Sequence, residues 1–540
     1  MIKKSFEKLF EQLDLFASIS GLQLNVEKTN NVWLGNKIGS ETKWLTHLNM
    51  TWNPSKFKIL GLWFTYNLED MVKINTFDKY LEAKTLFNCW AKRSNTPIGR
   101  VVVLKSLILS KLIYLWIMLP NPPDDLIESL QKKCFHFIWS GKKDKIKRSV
   151  SVNHTKNGGI NIPNIRKYIH ALKLTWIKRI FNDTPGKWKS ILKKKQPEIM
   201  NYDKYGTNIF AENQDNPFWN DVSKAYRELS KTYKPENSEE LLAEPLFKNE
   251  NFKIGKKTFI FPDWIMKGVL TVGMLVRQDG TFKSINQTMT EYEFNPKPLD
   301  YHGCISSIKE FMKKKSITLD SNNALAKSKV VTLLTSGLKG VKPLYNALLG
   351  EREIPIAFNK WETILGVEID WEKVFLQINS VTEAKLKWFQ IKICHRILVT
   401  NSILTYMHIV DSNKCNFCLT EKDTIQHYLW ECVHVQVFWN DFVQFLKEKC
   451  IHCDRLNLNP TLVLLGNDKK TKTDACFNDI LLNAKFFIYK CRLNNVKPNM
   501  HVFVNIDIKL MYKIDKYVYY RNMQMEKFHK KWMLYSGIIN

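Results

Sequence analysis

The 540-residue chain has no Gly-rich phosphate loop, no His-Glu-x-x-His pair and no Ser or Cys spaced as a nucleophile beside a base. P-loop hydrolysis, zinc-peptidase chemistry and the usual hydrolase triads therefore find no support. Internal repeats and low-complexity tracts are also missing, which sets aside solenoid architectures. No leader is expected. The amino terminus MIKKSFEKLFEQLDLFASIS interrupts its apolar positions with Glu7, Glu11 and Asp14, a pattern for an amphipathic helix and not for a secretory or mitochondrial signal. Only Val101 to Leu119 is long enough to span a bilayer, and Lys105 and Lys111 would each cost about 3 kcal/mol near its centre. A buried helix and no membrane partner are expected. Acidic side chains are in deficit, 52 Asp and Glu against 81 Lys and Arg, for a net charge of +29. Eleven cysteines follow no short, regular framework, so the thiols are expected free or metal-bound in a reducing compartment, nuclear or cytoplasmic and not secreted.

What is present suits a folded protein. The 44% hydrophobic content is enough for ordinary cores, and the length allows about two to four domains. Positive charge spread along the whole chain fits a long polyanion better than a small acidic substrate, making RNA and DNA the leading partners. Seventeen Trp could supply stacking platforms, although each one taken singly is expected in the core.

The most specific local pattern is CNFCLTEKDTIQHYLWEC. Cys415-x2-Cys418 is followed after eight residues by His427 and after four more by Cys432, three thiols and an imidazole with the spacing of a tetrahedral zinc site. The first pair can hold one ion from a single turn, and a short helix over Thr424 to Trp430 can present His427. All four donors come from protein, so structural Zn2+ is expected rather than a hydrolytic centre. Four packed residues without metal are the competing reading, and Cys450, Cys453, His434 and His452 are alternative ligands.

Patterning along the chain predicts an α+β fold, predominantly helical. Residues 1–66 read as a small α/β piece with strand-like runs at Leu22 to Val26, Asn31 to Leu34 and Phe57 to Phe64. Residues 67–150 read as a helical bundle, where Leu126, Ile127, Leu130, Cys134, Phe137 and Ile138 form a stripe opened by Asp124 and Asp125. A basic mixed α/β domain is expected over 151–300, with a loop-rich stretch from Lys193 to Gln214, strand-like runs around a helix from Phe252 to Phe282 and a tight turn at Asp279-Gly280. Polar composition predicts a linker over 301–342. A helical zinc-binding domain over 343–455 and a basic helical tail over 456–540 complete the expectation. Leu386, Phe389, Ile393 and Ile397 fall on one helix face, with Lys385, Lys392 and Arg396 on another.

Several blocks, in order, resemble the carboxy-terminal half of reverse transcriptases of LINE-type non-LTR retrotransposons. FASISGLQLNVEKTNNVWLG (Phe16 to Gly35) and FKILGLWF (Phe57 to Phe64) look like late palm segments, the second like a primer-grip hairpin. RSNTPIGRVVVLKSLILSKLIYLWIMLP (Arg93 to Pro120) is similar to the thumb. FIWSGKKDKIKR (Phe137 to Arg148) and NGGINIPNIRKYIHALKLTWIKRI (Asn157 to Ile180) resemble the basic segment after it. KWFQIKICHRILVTN (Lys387 to Asn401), the cysteine cluster and LLNAKFFIYKCRLNNVKP (Leu481 to Pro498) resemble the terminal zinc-binding region.

This resemblance implies a residual palm, a helical thumb, a mixed middle domain and a zinc knuckle. It also implies template and primer contacts at Lys58, Gly61, Lys105, Lys142, Lys143, Lys145, Lys147, Arg148, Lys385, Lys392 and Arg396, although a charge run such as Lys142 to Arg148 equally suits a solvated loop. The family's polymerase centre needs an Asp pair on a hairpin and an earlier Asp to hold two divalent ions, Mg2+ in an intact enzyme. Asp124-Asp125 is the only adjacent Asp pair, and after Asn-Pro-Pro it reads as a helix start whose carboxylates cap exposed amides. Pro262-Asp263 and Asp279 read as a helix start and a turn. No catalytic residue is expected. The chain is read as beginning downstream of the polymerase centre, with the missing amino-terminal polymerase part as a partner. The alternative is a non-enzymatic zinc-knuckle nucleic-acid-binding adaptor derived from a mobile element, distinguished by whether an upstream reading frame encodes an Asp-Asp hairpin.

Overall fold

The computed structural model describes residues 2–181, 185–195, 216–320, 328–337, 340–450, 457–466 and 475–538. Helices dominate, and among the described residues the strands form two two-stranded sheets, with isolated bridges elsewhere. The chain divides into two compact units, residues 1–86 with 110–122 and residues 87–109 with 123–540. Among the described residues one helix, Pro97–Met118, is long and apolar enough to cross a membrane, and Leu104, Ile108, Leu109, Leu112 and Trp116 within it are buried.

In the first unit, Phe6 of the helix Ile2–Ser20 packs among Trp33, Trp44 and Trp52, with ring centroids 4.9 to 6.3 Å apart. Of the strand-like runs expected before residue 56, only Asn30–Asn31 forms a strand, parallel to Thr51–Trp52. The β-rich run Phe57 to Phe64 is a hairpin, Lys56–Ile59 antiparallel to Leu62–Thr65. Its central residues Leu60 (φ 48) and Gly61 (φ 89) are both left-handed, as a two-residue turn of this twist requires. Glycine adopts that conformation freely, whereas leucine does so at a cost of about 1 kcal/mol. The register sets Phe57 opposite Phe64, rings 5.8 Å apart. Asn75 of the helix Leu68–Ala91 secures the hairpin, accepting from the Trp63 amide at 2.8 Å and donating to its carbonyl at 2.7 Å.

In the second unit the helix Asp124–Ile138 buries Ile127, Leu130, Cys134, Phe137 and Ile138 from the predicted stripe. Its start differs from expectation. Pro123 occupies the N-cap with no side-chain bond, and Asp124 pairs instead with Arg166 at 2.5 Å, so these carboxylates act through the helix dipole and an ion pair. Arg100 is buried and donates to the carbonyls of Phe137 at 2.7 Å, Arg93 at 3.1 Å and Ala91 at 3.3 Å, satisfying chain ends that a second helix could not reach. Farther on, Gly159 lies so close to the preceding turn that a Cβ there would sit 1.9 Å from the Asn153 carbonyl oxygen. Asn153 cannot yield, because it is buried and its side chain donates to the Glu353 carbonyl at 2.9 Å. Gly159→Ala is therefore expected to cost about 3 kcal/mol or more. Urea denaturation checks this, and a midpoint equal to that of the parent chain would contradict the close approach.

Three boundary expectations are corrected. Residues 301–315 of the expected linker belong to the helix Pro298–Lys315, which buries Tyr301, Cys304, Ile305, Ile308 and Phe311 in a core with Phe247, Phe252 and Trp264. Polar composition on its outer face hid that apolar stripe. The expected helix is present as Pro262–Met266, but the runs around it are not strands; they are irregular segments with isolated bridges at Ile254↔Lys257 and Val276↔Phe282, because their apolar side chains pack into the core and, among the described residues, no strand lies alongside to pair. The Asp279-Gly280 turn is present, with Asp279 accepting from the Thr281 amide at 2.8 Å. Most of the Lys193 to Gln214 stretch lies outside the described residues; its first residues end the helix Lys187–Lys195.

The third correction concerns residues 456–540. The helix Ala475–Leu493 is a core element, not part of a tail, and it buries Ile480, Leu481, Ala484 and Ile488. Lys485 of this helix is fully enclosed and donates to Gln390 Oε1 at 2.6 Å and to the Leu464 carbonyl at 3.3 Å. Burial pushes its ammonium down to about 7, with the nearby Cys394 opposing the shift, from an ordinary value of 10.5. Between those values the unfolded chain holds a proton that the folded chain does not, so stability rises as pH climbs from 7 towards 10. Lys485→Met is expected to abolish that rise, on the order of a few kcal/mol. Denaturation at pH 7 and pH 9.5 checks it; an unaltered pH dependence in the variant would assign the rise to other groups.

Candidate metal centre and basic surface

The loop Lys414 to Lys422 folds back on itself through the Lys414↔Lys422 bridge, and the Cys415 amide donates to the Glu421 carbonyl at 2.8 Å. Leu419, left-handed at φ 61, closes the turn by donating to the Cys415 carbonyl at 2.9 Å. Cys415 and Cys418 thereby face one point. The segment His427–Glu431 winds as a π-helix, and the Cys432 amide donates to the His427 carbonyl at 2.8 Å. That wider turn brings the imidazole and the fourth sulfur round to the same point. Cys432 then caps the helix Val433–Lys449.

The four donor atoms lie within 4.8 Å of one another. The sulfurs of Cys415 and Cys432 are 4.0 Å apart, and Cys418 Sγ is 3.4 Å from His427 Nε2. Four donors around tetrahedral zinc, with Zn–S near 2.3 Å, stand about 3.7 Å from each other, so the set fits the ion. Electrostatics agree. The hydrogen bond to Cys432, then burial, hold the Cys415 thiol well above its ordinary range. Cys432 is lowered by that same bond, with help from the amides of His434 and Val435 at the helix start. Against the desolvation that opposes ionisation, hydrogen bonds from Thr420, Glu421 and His427 lower Cys418. Desolvation likewise opposes charge on His427, yet the hydrogen bond to Cys418 and the nearby thiolates raise it. The pocket thus favours positive charge among its sulfurs, which a dication supplies while displacing the shared protons. Of the alternative ligands, Cys450 and His434 are not in this group, and His452 and Cys453 lie outside the described residues.

The support around the site was not legible in the sequence. Asp423, fully buried, pairs with Arg492, also buried, through both carboxylate oxygens, with Arg492 Nε to Oδ1 at 3.2 Å. The Asn401 amide donates to the same carboxylate at 2.6 Å, while Arg492 Nη2 donates to Asn401 Oδ1 at 3.2 Å. Asn416, between the first two cysteines, donates to the Arg492 carbonyl at 3.2 Å and to Asn495 at 2.8 Å. The guanidinium lies over the Tyr428 ring at 4.9 Å. Asp423 and Arg492 are 69 positions apart in the chain, so no local pattern announces them.

The basic residues named from the sequence fall into distinct settings. Lys58 lies over Trp63 at 5.3 Å beside Lys56, next to the Gly61 turn. Lys147 pairs with Glu353 at 2.5 Å and Arg148 with Asp144 at 2.6 Å, so both are engaged within the fold. Lys142 and Lys143 line a recess with Lys132, Lys133 and His136. Lys392 is lowered to about 8 by burial and by Lys145, which places those two cations together. Lys392 lies 5.5 Å over Tyr489, and Lys385 lies 5.1 Å over Phe486. Lys105 is half-buried and lowered to about 8 by burial and then by Lys342. Arg396 does not share a helix face with Lys385 and Lys392. The helix Ala384–Cys394 ends first, and Arg396, left-handed at φ 55, turns to stack on Trp361 at 4.5 Å.

No protein-family model matches the chain. Over 259 residues, 46% of this chain, it is 24% identical to the Transposon TX1 uncharacterized 149 kDa protein of Xenopus laevis. The matched stretch spans 20% of that relative's length.

Proposed function

We propose that the chain is a mobile-element protein of the LINE reverse-transcriptase kind that holds nucleic acid around a structural zinc knuckle and does not polymerise alone. The observation that carries this reading is the similarity over 259 residues to a transposon protein, which agrees with the ordered blocks seen in the sequence. The net charge of +29 and the lysines grouped at Lys142-Lys143 and at Lys145 with Lys392 support a polyanionic partner. The closed Cys3His donor set supports a fold-stabilising ion. Asp124 is occupied by Arg166 at a helix start, which supports excluding the Asp124-Asp125 pair from a two-metal polymerase centre. Nuclear or cytoplasmic residence goes with this reading.

The test is a binding titration of the purified chain against RNA, DNA and hybrid duplex at several salt concentrations, beside primer extension on an RNA template with Mg2+. Salt-sensitive binding without extension is expected. No salt-sensitive binding to any of the three would end the reading, and extension would mean that a catalytic carboxylate set has been overlooked.

A further inference from the structure

The helix Asp124–Ile138 ends in two consecutive left-handed residues, Ser140 (φ 55) and Gly141 (φ 75). The Gly141 amide donates to the His136 carbonyl at 2.8 Å, and Ser140 donates to Phe137 at 3.2 Å. This reversal folds the following loop back beside the last turns of the helix. A Cβ on Gly141 would lie 3.2 Å from His136 Nε2, so the loop passes directly against that imidazole. Lys142 and Lys143, on the loop, thereby join Lys132, Lys133 and His136, on the helix, around a recess of about 590 Å³.

Two of the lining cations are held as walls. Arg148 is bonded to Asp144 and stacked on Phe135 at 4.7 Å, and Lys133 lies 5.4 Å over Phe87. Asp144 is the only carboxylate lining the recess, and Arg148 already engages it. Lys132, His136, Lys142 and Lys143 are exposed. The carbonyl end of the helix disfavours an anion, by about half a charge at most, and the amides of Ser140, Gly141 and Lys142 cap it. Three free-standing lysines outweigh it.

No Phe, Tyr or Trp lines the recess, so the broad aromatic faces on which single-stranded bases stack are missing from it. Phe135 and Trp139 are buried, and Arg148 covers the Phe135 ring. Single strands draw about 1–3 kcal/mol per base from exposed aromatic faces, whereas a duplex presents its phosphates outward and needs none. We infer that Lys132, Lys142 and Lys143, backed by His136 and Arg148, form a phosphate clamp for a nucleic-acid duplex, gripping its backbone without reading its bases. This rests on the nucleic-acid reading above and gives it a specific site.

The test compares the parent chain with Lys132→Gln/Lys142→Gln/Lys143→Gln and with Lys313→Gln/Lys314→Gln/Lys315→Gln, an equal change of charge on three exposed lysines at the end of another helix. Binding to a short RNA–DNA hybrid and to oligo-dT of equal length is measured across a salt series. The clamp variant is expected to lose about one unit of log–log salt slope per lysine on the hybrid, and on the order of a hundredfold in affinity near 0.1 M salt. It should lose much less on oligo-dT, and the control variant should stay near the parent. A hybrid slope unchanged in the clamp variant overturns the clamp while leaving general nucleic-acid binding intact. Equal losses in both variants reduce the effect to net charge and overturn it too. Equal losses on hybrid and single strand overturn the duplex assignment. A parent chain that binds neither ligand removes the underlying reading instead.

Discussion

Replacing Cys432 with serine is expected to abolish stoichiometric zinc binding and to lower the thermal stability of the carboxy-terminal region as strongly as chelation does. The sulfur removed is the one whose thiolate is favoured by the Cys415 hydrogen bond and by the amides at the start of the helix Val433–Lys449. Structural zinc sites in small domains supply about 10–16 kcal/mol of apparent binding free energy, which is also folding free energy. Here the surrounding loop is tied as well through Asp423 and Asn416, so the loss is expected to fall below that figure. Metal content and melting with and without a chelator check the claim together. Chelation should destabilise the parent chain and leave the Cys432→Ser chain unmoved. Acid should mimic chelation, because protons compete with the ion for the three thiolates and the imidazole, so zinc should be released as pH falls. One zinc per chain retained in Cys432→Ser would refute the ligand set.

Arg492→Ala is expected to cost about 3–5 kcal/mol. The variant would leave the Asp423 carboxylate buried with only the Asn401 amide to balance it, and would remove the cation stacked on Tyr428. Its reach extends beyond the ion pair. Asp423 sits between Cys418 and His427, while Arg492 lies near the end of the core helix Ala475–Leu493, so the pair joins the metal loop to that helix. Loss of the pair should therefore weaken zinc retention even though no ligand is touched. A double-mutant cycle with Asp423→Asn isolates the coupling, since the double variant no longer buries an unpaired charge and should lose less than the sum of the singles. Additive losses would mean that the two side chains act independently.

Local chemistry made part of this protein legible beforehand. The Cys3His set was readable because its ligands fall within eighteen residues, where spacing alone limits the geometry. The helix Asp124–Ile138 was readable from its stripe, and the Phe57 to Phe64 hairpin from β-rich residues around a glycine. The similarity to a transposon protein agrees with a mobile-element relationship and goes no further than that. Where apolar residues had to choose between strand and irregular packing, as in the runs around the helix Pro262–Met266, the outcome depended on whether a partner strand lay alongside, and among the described residues none does. The helix Pro298–Lys315 was masked because its exposed face carries the composition of a linker.

The sequence by itself determined the Cys and His cluster that could hold a metal, the excess of positive charge and the helical character of the chain, because each depends on residue identity or on neighbours within a few turns. Only the tertiary structure decided what supports the donors and what each cation does. Asp423 meets Arg492, Lys147 meets Glu353 and Arg396 meets Trp361 across long stretches of chain. Lys132 joins Lys142 and Lys143 because a left-handed turn at Ser140 and Gly141 doubles the chain back. A charged side chain becomes a strut or a ligand-binding group according to the carboxylate, ring or open solvent that folding brings to it, and that is a property of distance in space.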